Sequence, residues 1–449
     1  MSHYKPYPSY KDSGIDWLGE VPEAWKVTRL KYVSELNPKK SSVEVEREEL
    51  CTFLPMEKLK TDSIVLDETR VIEEVYDGYS YFENGDILIA KVTPCFENKN
   101  IAIADDLVNG VGFGSTEINA IRSNEKSYNR FLYYRLQEEQ FRKIAINAMT
   151  GTGGLKRVPS EIFQTFKIAI PSYDEQKRIA EQIDQETIRI DTLIAKKTRF
   201  IELLKEKRQA LITYAVTKGL NPDVPMKDSS IEWIGDVPEH WGVGKLKHLG
   251  SLKGGAGFPT ELQGKPDNEL PFYKVGDLSK SLDGIYLGET IHTVSRGEAS
   301  NLGAKVFPED TIAWAKIGAA LLLNRRRITK NPSCLDNNMT GFIVSHEKAF
   351  YKYAFYLMCS IDFDFYVRPG AVPSLSEGEQ SAIPMPIPPI DEQKVIAEAI
   401  DRKTIRIDTL IAKAQHSIEL LKERRSAFIT AAVTGQIDVC NHINMEHVS

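Results

Sequence analysis

Apolar residues recur with heptad spacing along two stretches of the chain, separated by about half its length. No proline or glycine interrupts the first stretch between Asp174 and Gly219, or the second between Asp391 and Gly435. The pattern predicts two long helices, each with a coiled-coil seam of ~60–65 Å at 1.5 Å rise per residue. The predicted seam residues are Ile183, Ile190, Ile194, Ile201, Leu204, Leu211 and Ala215, and then Ile400, Ile407, Ile411, Ile418, Leu421, Phe428 and Ala432.

The two predicted helices have equal length and the same pattern, so each is a natural partner for the other. An antiparallel pair would bury both apolar stripes and relate the two halves of the chain by a pseudo-two-fold axis. The alternative is that each helix packs on its own domain. Arg208 and Arg425 interrupt the seam at equivalent places, where they either pair with carboxylates or set the register.

The chain is an internal duplication. The string TIRIDTLIAK occupies 187–196 and again 404–413, within longer matching segments at 170–220 and 387–437. A second match pairs Lys11–Val33 with Lys227–Leu249 at nearly the same offset. The predicted divisions are a first arm and variable domain at 1–169, a helix at 170–220, a second arm and variable domain at 221–386, a helix at 387–437 and a tail at 438–449.

The regions between these matches, about 40–168 and 256–385, have diverged but keep a loose correspondence. GDILIAKVTPCF around Lys91 aligns with EDTIAWAKIGAA around Lys316. Short β-rich runs alternate with glycine and asparagine turns and with one or two helices, so each domain is predicted to be α/β or α+β.

Composition narrows the possibilities. A length of 449 residues suggests about three domains at a prior of ~150 residues each. The net charge of −6 argues against a general nucleic-acid coat, so phosphate binding would need a local basic surface. The five cysteines are scattered without a CxxC pair, which favours reduced structural thiols over disulfides or zinc. No run of ~18 apolar residues and no signal peptide is visible, so a cytoplasmic protein is expected.

Recognisable catalytic motifs are missing from the sequence. TGTGGLKRV at 150–158 is glycine-rich but lacks Walker A spacing, and GVGFGST at 110–116 is not a dinucleotide-binding GxGxxG. No HExxH, no GxSxG and no metal-nuclease arrangement is present, and Cys95 has no histidine nearby to activate it. We expect no catalytic residues, no metal and no cofactor on this chain.

Because of the order in which its motifs occur, the sequence resembles the specificity subunits of type I restriction-modification systems over nearly its whole length. The matching features are the segments WLGEVPEAW and WIGDVPEHW, the GDILIAK and TPCFENK run followed by GFGSTE, KRVPSEIF, the EQ-containing helix starts at 171–176 and 388–393, and the duplicated helix. Each fragment alone is weak, whereas their repeated order is specific.

The resemblance implies two target-recognition domains held apart by an antiparallel pair of long helices. Each domain would read one half of a split, asymmetric site in double-stranded DNA, and the helices would set the spacer and dock two modification (methyltransferase) subunits. Restriction (nuclease-translocase) subunits would join that core. The adenine methylation with S-adenosylmethionine, and the cleavage with ATP and Mg, would then belong to the partners in a bacterial defence system.

Candidate DNA contacts lie in the loops that did not repeat, because their side chains suit base edges and phosphates. For each of them a solvated loop residue is the competing interpretation, and Lys91 and Lys316 are also candidates for a structural role because they recur. The first domain offers Lys91, Thr93, Asn98, Lys99, Ser115, Thr116, Glu117, Gly153, Gly154, Lys156 and Arg157. The second offers Lys316, Asn324, Arg325, Arg326, Arg327, Asp336, Asn337 and Asn338.

The recurring tryptophans, Trp17 with Trp25 and Trp233 with Trp241, are predicted to pack where each arm meets its domain, with a partner site as the alternative. Two rival functions remain open at this level. One is a self-contained DNA methyltransferase or nuclease with a duplicated domain. The other is an adaptor whose coiled coil binds protein only.

Overall fold

The computed structural model describes residues 4–152, 154–281, 283–367 and 372–441. The chain divides into two compact units, the first made of Met1–Lys197 with His416–Ser449 and the second of Thr198–Gln415. The boundaries fall inside both long helices, so each unit contains one half of each helix. Of the candidate residues, Gly153 lies outside the described residues.

Over its described residues, the first unit is built from short strands and short helices. Its strands are β1 (Tyr10–Asp12), β2 (Glu20–Pro22), β3 (Lys26–Arg29), β4 (Ser34–Leu36), β5 (Leu50–Leu54), β6 (Thr69–Val71), β7 (Ser80–Glu83), β8 (Ile87–Ala90), β9 (Ile101–Ile103), β10 (Val111–Gly114), β11 (Ile118–Ser123), β12 (Thr150–Thr152), β13 (Leu155–Arg157) and β14 (Lys167–Ile170). Its short helices are α1 (Ile72–Val75), α2 (Asn129–Gln137), α3 (Glu139–Asn147) and α4 (Ser160–Thr165).

The first long helix, α5 (Tyr173–Lys218), follows β14 directly and runs into the second unit. The strands of the second unit are β15 (Met226–Asp228), β16 (Asp236–Pro238), β17 (Gly242–Lys245), β18 (Gly250–Gly254), β19 (Leu270–Tyr273), β20 (Thr293–Val294), β21 (Ile312–Ala315), β22 (Arg326–Ile328), β23 (Cys334–Leu335), β24 (Met339–Val344) and β25 (Pro384–Ile387). Its helices are α6 (Arg296–Asn301), α7 (Ala319–Leu322), α8 (Tyr351–Cys359), α9 (Glu377–Ser381) and the second long helix, α10 (Ile390–Val433).

The two units share a topology. A four-stranded antiparallel sheet has the order β4-β11-β8-β9 in the first unit and β18-β24-β21-β22 in the second. A parallel pair, β5 with β10 or β19 with β23, accompanies it in each unit. The arm hairpins β1-β2 and β15-β16 also correspond, as do the pairs β3-β14 and β17-β25 that lead into the long helices. The predicted mixed α/β fold and internal duplication are confirmed.

The long helices run antiparallel within each unit. In the first unit, Arg425 Nε lies 3.2 Å from Asp191 Oδ1, and Arg424 Nη2 lies 2.7 Å from Glu186. In the second, Arg208 Nε lies 2.8 Å from Asp408 Oδ1. These contacts support the paired arrangement, and they show that the two arginines of the seam pair with carboxylates.

The predicted seam is mostly buried. Fully buried are Ile183, Ile190, Ile201, Leu204, Ala215, Ile400, Ile407, Ile418, Phe428 and Ala432. Half-buried are Ile194, Leu211, Ile411 and Leu421. Thr187 and Thr404 complete the heptad spacing as buried residues, because each hydroxyl donates to the carbonyl four residues earlier, of Ile183 or Ile400.

Candidate DNA-contact surface

The recurring tryptophans anchor each arm on the first turn of a long helix. Trp25 Nε1 donates to Glu175 Oε1 at 3.1 Å, and Trp241 Nε1 donates to Glu392 Oε2 at 3.0 Å. Both indoles are buried, so their N–H groups need these acceptors. The predicted packing role is confirmed for this pair, and it explains the repeated glutamate in the helix-start motif.

The glutamine that follows that glutamate holds the start of a shorter helix in each unit, α2 or α8. Gln176 Oε1 accepts from the backbone N–H of Tyr128, and Gln393 Oε1 accepts from that of Phe350. These are the residues immediately before α2 and α8, so each buried amide satisfies an orphan donor at a helix N-terminus. The repeated motifs therefore hold the arm and the start of α2 or α8 to the first turn of each long helix.

Candidates from three separate parts of the first domain converge on one surface. Lys91 N–H donates to the Glu117 carbonyl at 2.9 Å, which joins the end of β8 to the turn before β11. Thr93 N–H donates to the Lys156 carbonyl at 2.9 Å, and Lys156 N–H donates back to Thr93 Oγ1 at 2.9 Å. Residues 91–93, 115–117 and 154–157 thus lie side by side.

An ion pair crosses this surface between the turn and the hairpin β12-β13. Arg157 Nη2 lies 2.6 Å from Glu117 Oε1, and the guanidinium holds the pKa of the Glu117 carboxyl below its ordinary value. Both groups are already paired in this conformation. Exposed Thr116 and Lys156, and half-buried Lys91 and Ser115, are the side chains of this surface with more freedom to meet a ligand.

The glycine cluster before this turn has a packing role. A Cβ on Gly112 would lie 2.2 Å from the Phe82 ring, and one on Gly114 would lie 2.5 Å from the Leu54 carbonyl oxygen. Both positions are in β10, between β5 and β7. Glycine is required here so that the neighbouring strands and the aromatic ring can approach closely. Gly154 differs, because its φ of +82° forms the exposed tip of the hairpin.

Asn98 and Lys99 lie beside residues that do not belong to the surface formed by Lys91, Glu117 and Lys156. The Asn98 carbonyl accepts from Thr61 Oγ1 at 3.1 Å, and Lys99 lines a cavity of about 480 Å³ beside the long helices. Burial lowers the pKa of Lys99 there. Lys99 therefore lies beside the helix pair of the first unit, and Asn98 lies beside Thr61.

That cavity contains a contact that the sequence did not disclose. Arg425 Nη2 lies 2.6 Å from Asp62 Oδ2, in addition to its pairing with Asp191. The other Asp62 oxygen accepts from the Tyr133 hydroxyl on α2. One seam arginine therefore joins both long helices to a loop of the first domain, whose Asp62 has a φ of +59°.

The second unit forms the equivalent surface with different side chains. Lys316 N–H donates to the Asn338 carbonyl at 2.9 Å, as Lys91 does to Glu117. The Leu375 N–H donates to the Lys316 carbonyl, as Val158 does to Lys91. Lys316 and Asp336 are half-buried, while Asn337 and Asn338 are exposed. The loose alignment of Lys91 with Lys316 thus reflects equivalent backbone positions.

The arginine cluster of the second unit is divided between core and surface, and Arg326 is a correction to the sequence reasoning. Arg326 is 1% exposed, its Nη2 donates to the Ile361 carbonyl at 2.7 Å, and burial lowers its pKa to about 10. It is structural, and we drop it from the candidate contacts. Asn324 is likewise engaged, with Asp362, while Arg327 is half-buried and Arg325 is exposed.

The described ranges 4–152, 154–281, 283–367 and 372–441 contain no group of three or more His, Cys, Asp or Glu side chains that could hold a metal ion. None of the helices in these ranges combines the length and the apolar character of a membrane span.

Comparison with known proteins gives consistent results. The sequence profile of the family described as type I restriction modification DNA specificity domain matches twice, at residues 22–203 and 238–420. The EcoAI type I restriction enzyme specificity subunit of Escherichia coli is 37% identical over 184 residues, which are 40% of this chain and 31% of that protein. The chain thus spans less than a third of the first Escherichia coli relatives that it matches. The MjaVIII specificity subunit of Methanocaldococcus jannaschii is 24% identical, with 94% of this chain and 95% of that protein covered.

Two solved structures share the fold. A chain from a study of complex assembly and conformational transition of the type I R-M system has a TM-score of 0.71 at 14% identity, covering 92% of this chain and 98% of that one. The HsdS subunit from Thermoanaerobacter tengcongensis has a TM-score of 0.52 at 16% identity, covering 93% and 98%. Since the family profile matches both halves of the sequence, the chain belongs to the type I restriction-modification DNA specificity family.

Proposed function

We propose that this protein is the non-catalytic recognition subunit of a type I restriction-modification enzyme, acting on double-stranded DNA in the cytoplasm. Each domain reads one half of a bipartite, asymmetric site. The helix pair fixes the spacer and docks two methyltransferase subunits. In this proposal those partners supply adenine methylation with S-adenosylmethionine, and the nuclease-translocase subunits supply restriction with ATP and Mg.

One observation carries the proposal: an equivalent backbone surface in both units presents different side chains. The turn residue whose backbone carbonyl accepts from the lysine N–H is Glu117 in the first unit and Asn338 in the second. A carboxylate accepts hydrogen bonds from the cytosine amine, whereas an amide suits adenine. Two copies of one scaffold with different polar groups are what a reader of two different half-sites requires.

The docking of two identical partners is supported by the long helices. Unlike the side chains of the two variable surfaces, exposed apolar residues recur at the same positions in both helices. Ile188 and Ile405 occupy the same place in the string TIRIDTLIAK, and both are 65% exposed. Leu193 and Leu410, five residues further along, are also exposed in both copies. Exposed apolar side chains at matching positions favour a protein partner that binds twice in the same way.

The direct test is to express the chain with a methyltransferase subunit from the same source and sequence the host DNA by a methylation-sensitive method. We expect methylated adenines in one motif with two unlike halves and an unread spacer. A continuous motif, or no methylation by an assembled complex, would refute the proposal. Expression of either protein alone is the control, and methylation by this chain alone would instead establish a self-contained enzyme.

The adaptor alternative predicts a different result. A complex that assembles on the helices but binds DNA without sequence preference would support an adaptor. A matched pair of variants separates docking from reading: Ile188→Ala with Ile405→Ala should weaken assembly, while Lys156→Ala should weaken only DNA binding.

A further inference from the structure

The second unit exposes an apolar patch beside Lys316, and this patch has no place in the function so far proposed. Phe365 is 87% exposed, the highest value among the exposed large apolar side chains of the described residues. Four other apolar residues around it are exposed to a lesser degree. They are Val372 at 59%, Leu323 at 55%, Ile317 at 38% and Leu322 at 37%.

Hydrogen bonds bring these residues together from three parts of the sequence. The Gly318 N–H donates to the Pro373 carbonyl at 2.7 Å, which places Ile317 next to Val372. Asn324 Nδ2 donates to Asp362 at 2.6 Å, and Asn324 Oδ1 accepts from the Phe363 N–H at 3.0 Å. Leu322 and Leu323 therefore lie against the turn that carries Phe365. We call these five residues the apolar patch.

The exposure of Phe365 is fixed by its neighbours on the same turn. Phe363, two residues earlier, is buried beneath the Arg326 guanidinium, which lies 4.0 Å from its ring centroid, and beside Trp314. With Phe363 directed into the core, Phe365 projects from the 3-10 turn at Phe363–Tyr366 into solvent. Its side chain makes no contribution to the core, so a ligand is the natural explanation for an aromatic group at this position.

Among the described residues of the first unit, Leu155 takes the place of Val372 and is 55% exposed, but the centre of the patch, Phe365, has no exposed aromatic counterpart in the segment that follows α2. The segment that follows α2 there is α3, whose Phe141 is fully buried against Phe163 and Phe166. A partner that docks twice needs a surface present in both units, as the helices provide with Ile188 and Ile405. A surface present in one unit suits a ligand that differs between the units, and under the proposed function that ligand is the DNA half-site.

The charges around the patch indicate which part of the DNA it contacts. Exposed Arg325 and half-buried Lys316 flank the patch and attract the duplex. Exposed Asp364 adjoins Phe365 and repels phosphates at short range. The aromatic ring itself is therefore suited to bases, either on a thymine methyl group in the major groove or against the face of a base at an opened step.

We propose that the apolar patch, with Phe365 at its centre, makes an apolar contact with the bases of the half-site read by the second domain. This inference rests on the proposed function and deepens it by assigning a specificity-determining residue. The contact contributes affinity and base preference without phosphate neutralisation. It acts on one half-site only.

The test uses the assembled complex with its methyltransferase subunits and a duplex containing the site found by methylation sequencing. Phe365→Ala should weaken binding about tenfold, the order expected for loss of one aromatic contact with a base. The slope of log K against log salt should stay unchanged, because no phosphate contact is lost, whereas Arg325→Ala should reduce it by about 1. Val243→Ala, which shortens an exposed apolar residue in β17 of the same unit, is the matched control and should bind as wild type.

Modified duplexes identify the group on the DNA. If replacing one thymine of that half-site by uracil weakens the wild type and not Phe365→Ala, the contact is a methyl group. If 2-aminopurine at one step brightens with the wild type and not with the variant, the ring enters the stack. The same changes in the other half-site should affect both proteins equally.

Other outcomes overturn the inference in distinguishable ways. A wild-type complex without site preference would refute the proposed function itself. A specific wild type with Phe365→Ala binding within twofold of it would refute the inference alone. A variant that fails to assemble with the methyltransferase would assign the patch to protein docking. Phe365→Leu is the folding control: if its Tm equals that of wild type, a change in its DNA binding is not caused by a loss of folding.

Discussion

Two isoleucines of the repeated string, two residues apart, should respond to very different degrees to the same substitution. Ile190 is 2% exposed in the helix seam of the first unit, whereas Ile188 is 65% exposed on the same helix. Replacing Ile190 by alanine removes three buried carbon atoms, at about 0.8 kcal/mol each, or about 2.4 kcal/mol. A residual cavity adds to this, within the range of about 2–5 kcal/mol seen for such changes. Ile188→Ala should change the stability by less than about 0.5 kcal/mol.

The measurement is thermal unfolding followed by circular dichroism, with each variant compared with wild type at the same protein concentration. Ile190→Ala should lower the Tm of its transition by about 5–10 °C, and Ile188→Ala by about 1–2 °C or less. Ile407→Ala, the equivalent seam change in the second unit, is the matched control and should destabilise that unit by a similar amount. Equal losses from Ile188→Ala and Ile190→Ala would show that the helices do not pair along the predicted seam.

Three further predictions concern a buried glutamate, the two seam arginines and a surface lysine. Burial raises the pKa of Glu138 above its ordinary value, although the buried Arg135 guanidinium 2.6 Å away opposes the shift, so the folded state holds the proton more tightly and stability should fall as the pH rises above the ordinary ~4.3; Glu138→Gln should flatten that dependence in thermal unfolding. Arg425→Met should lower the Tm more than Arg208→Met, because Arg425 pairs with two carboxylates and Arg208 with one, and added salt should narrow the difference. Lys156→Ala should weaken DNA binding at any sequence and reduce the salt slope by about 1, which a salt titration of binding measures.

The helices were predictable because their information is local and periodic. The heptad spacing of Ile183, Ile190 and Ile201 identified a buried stripe, and the duplication identified a partner of the same length. For Arg208 and Arg425 the sequence left open whether they pair with carboxylates or set the register, and the structure shows carboxylate partners for both. The periodicity did not disclose the second carboxylate partner of Arg425, because Asp62 lies 363 residues away in sequence.

The candidate contacts were less predictable because the recognition loops have no period. The charge of Arg326 predicts a surface residue, but the strand β22 alternates, with Arg326 and Ile328 buried and Arg327 half-buried. Attention to that period of two would have indicated an inward arginine next to an inward isoleucine. The convergence of Lys91, Glu117 and Lys156 depends on tertiary hydrogen bonds, so only the structure reveals it.

We propose that each variable domain reads its own half of the DNA site. The most direct test exchanges residues 40–168 for the first domain of another family member and sequences the methylated DNA made with the same methyltransferase subunit. We expect a new sequence in one half of the motif, with the other half and the spacer unchanged. A change in both halves would contradict it.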